Sequence, residues 1–129
     1  MRALLDTEVW VWMLASPELL SPRSAALISS LDNELVFSAV SAWEIAIKSE
    51  LGKLRLPQPL EEAIPALMSR TGVTALPILH RHALHVATLP AKHRDPFDRL
   101  LIAQAQLEEL PVLTSDRNFT LYDVEVLPA

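Results

Sequence analysis

Short apolar blocks alternate along the chain with longer stretches of helical periodicity, most of them bounded by Pro, Gly or Ser. Arg2–Leu5 predicts a buried strand that runs directly into a helix over Glu8–Ala15, ended by Pro17. Within it, Val9-Trp10-Val11-Trp12-Met13-Leu14 is apolar on every side. Read as a helix, that stretch requires burial all round or against a second chain, although strict alternation also suits a strand. Ser21-Pro22 pairs an N-cap with proline at the first helical position and opens a helix to about Leu31. Glu34–Ser38 is the next predicted strand. Ser41-x-x-Glu44 has capping-box spacing and opens an amphipathic helix through Lys53, with Gly52 near its end. Pro57 and Pro59 break the chain before a helix from Leu60 to about Arg70, which Gly72 stops. Val73–Ile78 predicts a third strand and His80–Leu89 a short helix ended by Pro90. Asp95-Pro96 opens the best-formed helix, Phe97–Leu110, and Val112–Thr114 and Val124–Leu127 predict the last strands.

Strands alternating with helices of about ten residues describe a mainly parallel sheet covered on both faces, an α/β fold. A chain of 129 residues supplies one core and so one domain, residues 1–129. Half the residues are hydrophobic and 21% charged, which places the chain among globular proteins. Glycine occurs only at Gly52 and Gly72, so neither Gly-rich phosphate loop can be written. Without cysteine, thiol catalysis, disulfides and zinc–thiolate sites are excluded, and a reducing cytoplasm is the expected compartment. Asp6 and Glu8 interrupt the first apolar stretch, unlike a secretory signal, and no uncharged run reaches the ~18 residues of a membrane span. A net charge of −5 argues against non-specific coating of nucleic acid. Any RNA or DNA contact must then come from a local basic patch or a bound metal, and a basic partner is accommodated.

Four acids are placed where elements begin or end: Asp6 after Ala3-Leu4-Leu5, Glu44 in Ser41-Ala42-Trp43-Glu44, Asp98 opening Phe97–Ala103, and Asp116 after Val112–Ser115. Each has a structural reading as a cap. Ligands of open parallel sheets, however, bind outside the carboxyl ends of the strands, the edge to which all four positions point. Carboxylates gathered there repel, by about 4 kcal/mol for a pair ~4 Å apart at an effective dielectric of ~20. A divalent cation relieves that repulsion, and Mg2+ is held by one or two carboxylates plus water and substrate phosphate.

Ala3-Leu4-Leu5-Asp6-Thr7, Ser41–Lys48, Arg94–Ala105 and Leu113-Thr114-Ser115-Asp116, in this order, resemble the PIN-domain ribonucleases, and more narrowly the VapC-type toxins of bacterial toxin–antitoxin pairs. The similarity runs nearly end to end. It implies a three-layer α/β/α domain and a Mg2+- or Mn2+-dependent endoribonuclease with Asp6, Glu44, Asp98 and Asp116 as catalytic and metal-binding acids. It also implies a homodimer, an RNA substrate with transfer RNA as one candidate, and neutralisation by a small antitoxin. Glu8 departs from the pattern, where similar sequences often carry a neutral residue or histidine; it is read as a solvated charge, and Asp95 as a cap orienting the helix of Asp98.

Thr7, Ser41, Thr114 and Ser115 flank the acids, placed to orient ligands or to cap backbone. Arg94 and Arg99 bracket Asp98 and are the favoured phosphate contacts, ahead of Lys48, Lys53, Lys92 and Arg117. His80, His82, His85 and His93 form no clear metal pattern, although His82 and His85 lie three apart on one helical face, which would permit shared ligation; all four are expected at the surface or a dimer contact. Trp10, Trp12 and Trp43 are expected in core or interface. A mean hydropathy of +0.25 fits apolar surface covered by a second subunit or an antitoxin. Rival readings are a catalytically silent RNA- or protein-binding module, or another Mg2+-dependent phosphate hydrolase. Against the second, Asp6-Thr7-Glu8 lacks the Asp-x-Asp of haloacid-dehalogenase-type phosphatases.

Overall fold

In a computed structural model describing Met1–Ala129, the predicted strands form one five-stranded sheet in the order β3-β2-β1-β4-β5, with every pairing parallel. The strands are β1 (Arg2–Leu5), β2 (Glu34–Ser38), β3 (Thr74–Leu76), β4 (Val112–Thr114) and β5 (Val126–Pro128). The helices are α1 (Thr7–Ala15), α2 (Pro22–Ser29), α3 (Ala39–Glu50), α4 (Leu60–Thr71), α5 (His80–His85) and α6 (Pro96–Glu108). No helix is long and apolar enough to cross a membrane.

β1 lies at the centre, pairing Leu4 with both Val36 and Val112. Successive strand residues face opposite ways, so each apolar run feeds two cores. Leu4, Val36 and Val112 join Leu101, Ile102 and Phe119 on one face. Leu5, Leu35, Phe37 and Leu113 join Val9, Trp10, Ile45 and Ile64 on the other. This is the three-layer α/β/α arrangement. Burying a Leu or Phe side chain contributes about 1.5–3 kcal/mol, and a sheet apolar on both faces is stable only with helices on each side. Trp10 is fully buried, its ring 4.3 Å from that of Phe37 and its indole N–H donating to Thr71.

The helix ends depart from the sequence pattern in instructive places. α3 starts at Ala39, two residues ahead of the predicted box, because Ser38 is its N-cap and accepts from the Val40 N–H. The Ser41–Glu44 capping box therefore does not form; both side chains are buried and face other groups. α2 stops at Ser29, leaving Leu31 fully exposed, and the predicted His80–Leu89 helix divides into α5 and a 3-10 turn over Val86–Thr88. α4 runs through the exposed Pro65, which withdraws one N–H from the ladder. Its end is set by Gly72, whose φ of 69° is left-handed and favours glycine.

Candidate metal centre

The ladder between β1 and β4 continues one residue past β1, where the Asp6 N–H donates to the Leu113 carbonyl. Asp6 is thereby set beside the end of β4, and the Thr114 hydroxyl donates to its carboxylate Oδ2 at 2.7 Å. The same hydroxyl accepts from the Asp116 N–H at 2.9 Å, so one buried threonine spaces two acids that are 110 positions apart in the chain. On the other side, the Thr7 hydroxyl donates to Ser41 Oγ at 2.8 Å and locks the start of α1 onto the first turn of α3. Glu44 follows one helical turn after Ser41. Asp98 stands in the first turn of α6, whose cap is Asp95: its Oδ1 accepts from the N–H groups of Phe97 and Asp98.

These supports deliver Asp6, Glu44, Asp98 and Asp116 to one cleft of about 370 Å³. Glu8 and Asp95 line it too, opposed by Lys48 and Lys53. Of the structural readings, the cap holds for Asp95 and for Asp116, which accepts from the Asn118 N–H. It fails for Asp6, whose side chain makes no capping bond. Glu44 Oε2 accepts from Lys48 Nζ at 2.6 Å. Its Oε1 is buried without any hydrogen-bond partner.

Burial pushes the Asp6 carboxyl up to about 7, only partly offset by the Thr114 hydrogen bond and reinforced by the charges of Asp98 and Glu44. Burial likewise raises Asp98 to about 6 against the His93 hydrogen bond, with Asp95, Asp116 and Glu44 adding repulsion. The Lys48 ammonium is lowered by burial but raised more by Glu44, so it remains charged. Mutually repelling carboxylates and an orphaned carboxylate oxygen, which alone costs about 1–3 kcal/mol, fit a hard divalent cation. The donors present are oxygens plus one imidazole, within the range of Mg2+ or Mn2+.

Three expected residues lie elsewhere. Ser115 is exposed and does not line the cleft. Arg94 is exposed and does not line the cleft either, although its chain neighbour Asp95 does. Arg99 is not available for phosphate: its guanidinium donates to the carbonyls of Pro90 and Val86 and to the Tyr122 hydroxyl. The chain bends back over that arginine, a contact invisible in local spacing.

His80 is exposed as expected, but other histidines differ. His82 is fully buried, its Nδ1 accepting from the Leu79 N–H and its Nε2 meeting Glu108, while His85 meets Gln106. The one histidine in contact with any of the four acids is His93, with Nε2 2.8 Å from Asp98 Oδ2. Its position five residues before Asp98 follows no helical or strand period, so no sequence pattern marks it. Trp12 lines the cleft and Trp43 is half-exposed, edge-on to Phe97 at 4.7 Å.

Residues 3–125 match the PIN domain family. Ribonuclease VapC16 of Mycobacterium tuberculosis is 42% identical over 63 residues, a stretch of 49% of this chain and 45% of that protein. Among solved structures, a chain of the Rickettsia felis VapBC2 complex bound to a promoter DNA fragment superposes with a TM-score of 0.71, at 14% identity over 99% of this chain and 98% of that one. A chain of the Neisseria gonorrhoeae FitAcB structure gives 0.68, at 23% identity over 98% of this chain and 96% of that one. At these identities the structures speak for the shared fold. With the family match covering nearly the whole length, the chain belongs to the PIN domain family.

Proposed function

We propose that this chain is a Mg2+- or Mn2+-dependent endoribonuclease and acts as the toxin of a toxin–antitoxin pair. The observation that carries the reading is the cleft itself: four acids from four separate segments line one hollow, and the buried Oε1 of Glu44 has no protein partner. Asp6, Glu44, Asp98 and Asp116 are the residues that would hold the cation. When bound, it lowers the pKa of water and neutralises charge developing on the scissile phosphate.

The protein's own groups do the rest. Thr114 fixes Asp6 and Asp116, and the Thr7–Ser41 bond fixes the helix that carries Glu44, so that little reorganisation is needed when substrate arrives. Lys53 and the exposed Arg94 supply positive charge for the RNA backbone, and Lys48 both neutralises Glu44 and borders the cleft. Attack by water does not need the RNA 2′-hydroxyl, so the products carry 3′-hydroxyl and 5′-phosphate ends.

Relatives solved as VapBC complexes support a VapB-like antitoxin as the partner. A second copy of the chain is supported by apolar side chains left on the surface, including Trp43 and Ile47 on α3 and Leu51 just beyond its end. Incubation with total RNA, with and without Mn2+, followed by sequencing of the cut ends tests the activity. Metal-dependent 5′-phosphate ends are expected; cyclic-phosphate ends would contradict the mechanism.

A further inference from the structure

We propose that His93 is itself a metal ligand, its Nε2 joining Asp98 and Asp116 to give the centre one nitrogen donor and a preference for Mn2+ over Mg2+. This rests on the cation reading above and extends it to a residue outside the four acids.

Donor atoms of His93, Asp98 and Asp116 all lie within 4.8 Å of one another, close enough to share one ion. His93 Nε2 and Asp98 Oδ2 are 2.8 Å apart. Adjacent ligands of an octahedral ion with bonds of about 2.1 Å stand about 3 Å apart, so little movement separates the hydrogen-bonded pair from a ligating one. As a ligand the imidazole is neutral, with its proton on Nδ1.

The position of the ring is built into the fold. The His93 N–H donates to the Tyr122 hydroxyl at 2.9 Å, and Tyr122 is buried. Arg99 donates to that same hydroxyl and to the Pro90 and Val86 carbonyls, fastening the whole segment before α6. An independent sign of a missing ligand is the unpartnered Oε1 of Glu44, a residue 95% buried that lines the same cleft. Imidazole favours transition metals, whereas carboxylate and water suit Mg2+ as well as Mn2+. The other histidines lie on α5, where His82 and His85 are engaged with α6.

The test is pulsed electron paramagnetic resonance of Mn2+ added to the intact protein, prepared once with ordinary histidine and once with histidine carrying the heavy nitrogen isotope. Nitrogen modulation that changes with the isotope is expected, as is its loss in His93→Gln together with at least about tenfold weaker Mn2+ binding and a smaller change for Mg2+. Should His93→Gln not fold, the isotope pair on the unaltered chain decides alone. Bound Mn2+ without nitrogen coupling overturns the role of His93 and leaves the acids standing. No Mn2+ binding at all overturns the metal centre as well.

Discussion

At neutral pH the Asp6 carboxyl sits between its two forms, because burial raises it to about 7. Asp98, at about 6, follows it. Both are raised in the folded chain, so in metal-free protein the stability they contribute is full below the ordinary carboxylate range and is lost as pH rises through 6 to 7. Asp6→Asn therefore stabilises the metal-free protein at pH 8 by up to about 4 kcal/mol and has little effect near pH 4, as denaturant titration at the two pH values would show. Cation binding requires both groups ionised, so affinity measured by calorimetry tightens from pH 6 to 8. Thr114→Val removes the shared hydroxyl and weakens Mn2+ binding about 10–100-fold; unchanged affinity would mean that Thr114 only fills space. The acids were legible because charges at element ends stand out in an apolar sequence. His93 and Arg99 were not, since their partners depend on how the segment before α6 folds back.

For single elements, periodicity located all five strands and all six α-helices, and the errors fell at their ends and in the 3-10 turns. The start of α3 shows why. The spacing pointed to Ser41 as the cap, but tertiary contact decides otherwise: Ser38 is held by Gln104 of α6 and caps the helix, while Ser41 is taken by Thr7. Ser38→Ala removes the cap and the contact with α6, lowering stability by about 1–2 kcal/mol in thermal or denaturant unfolding. Arg99→Ala releases four carbonyl and hydroxyl acceptors around residues 86–122 and costs about 2–3 kcal/mol, where a phosphate-binding role would leave stability unchanged. The last strand shifted from Val124–Leu127 to Val126–Pro128 because the edge of the sheet is paired on one side only, and β4 alone sets its register.

Across the whole molecule, the order β3-β2-β1-β4-β5 puts β1 and β4 side by side at the centre, so residues 6 and 114–116 meet although they lie at opposite ends of the chain. Parallel pairing brings every strand's carboxyl end to one edge, and the helices leaving there carry Glu44 and Asp98 to the same place. Alternation of strands and helices made this layered class readable; the convergence of the side chains needed the pairing order, which sequence spacing does not contain. Thermal melting with increasing Mn2+ measures the consequence directly, since a ligand held only by the native state raises its stability, by about 2.7 kcal/mol at a hundredfold excess over Kd. The melting temperature of the unaltered chain is expected to climb by several degrees, and that of Asp98→Asn to stay flat. An equal climb in both, or none in either, would contradict a cation held by this cleft.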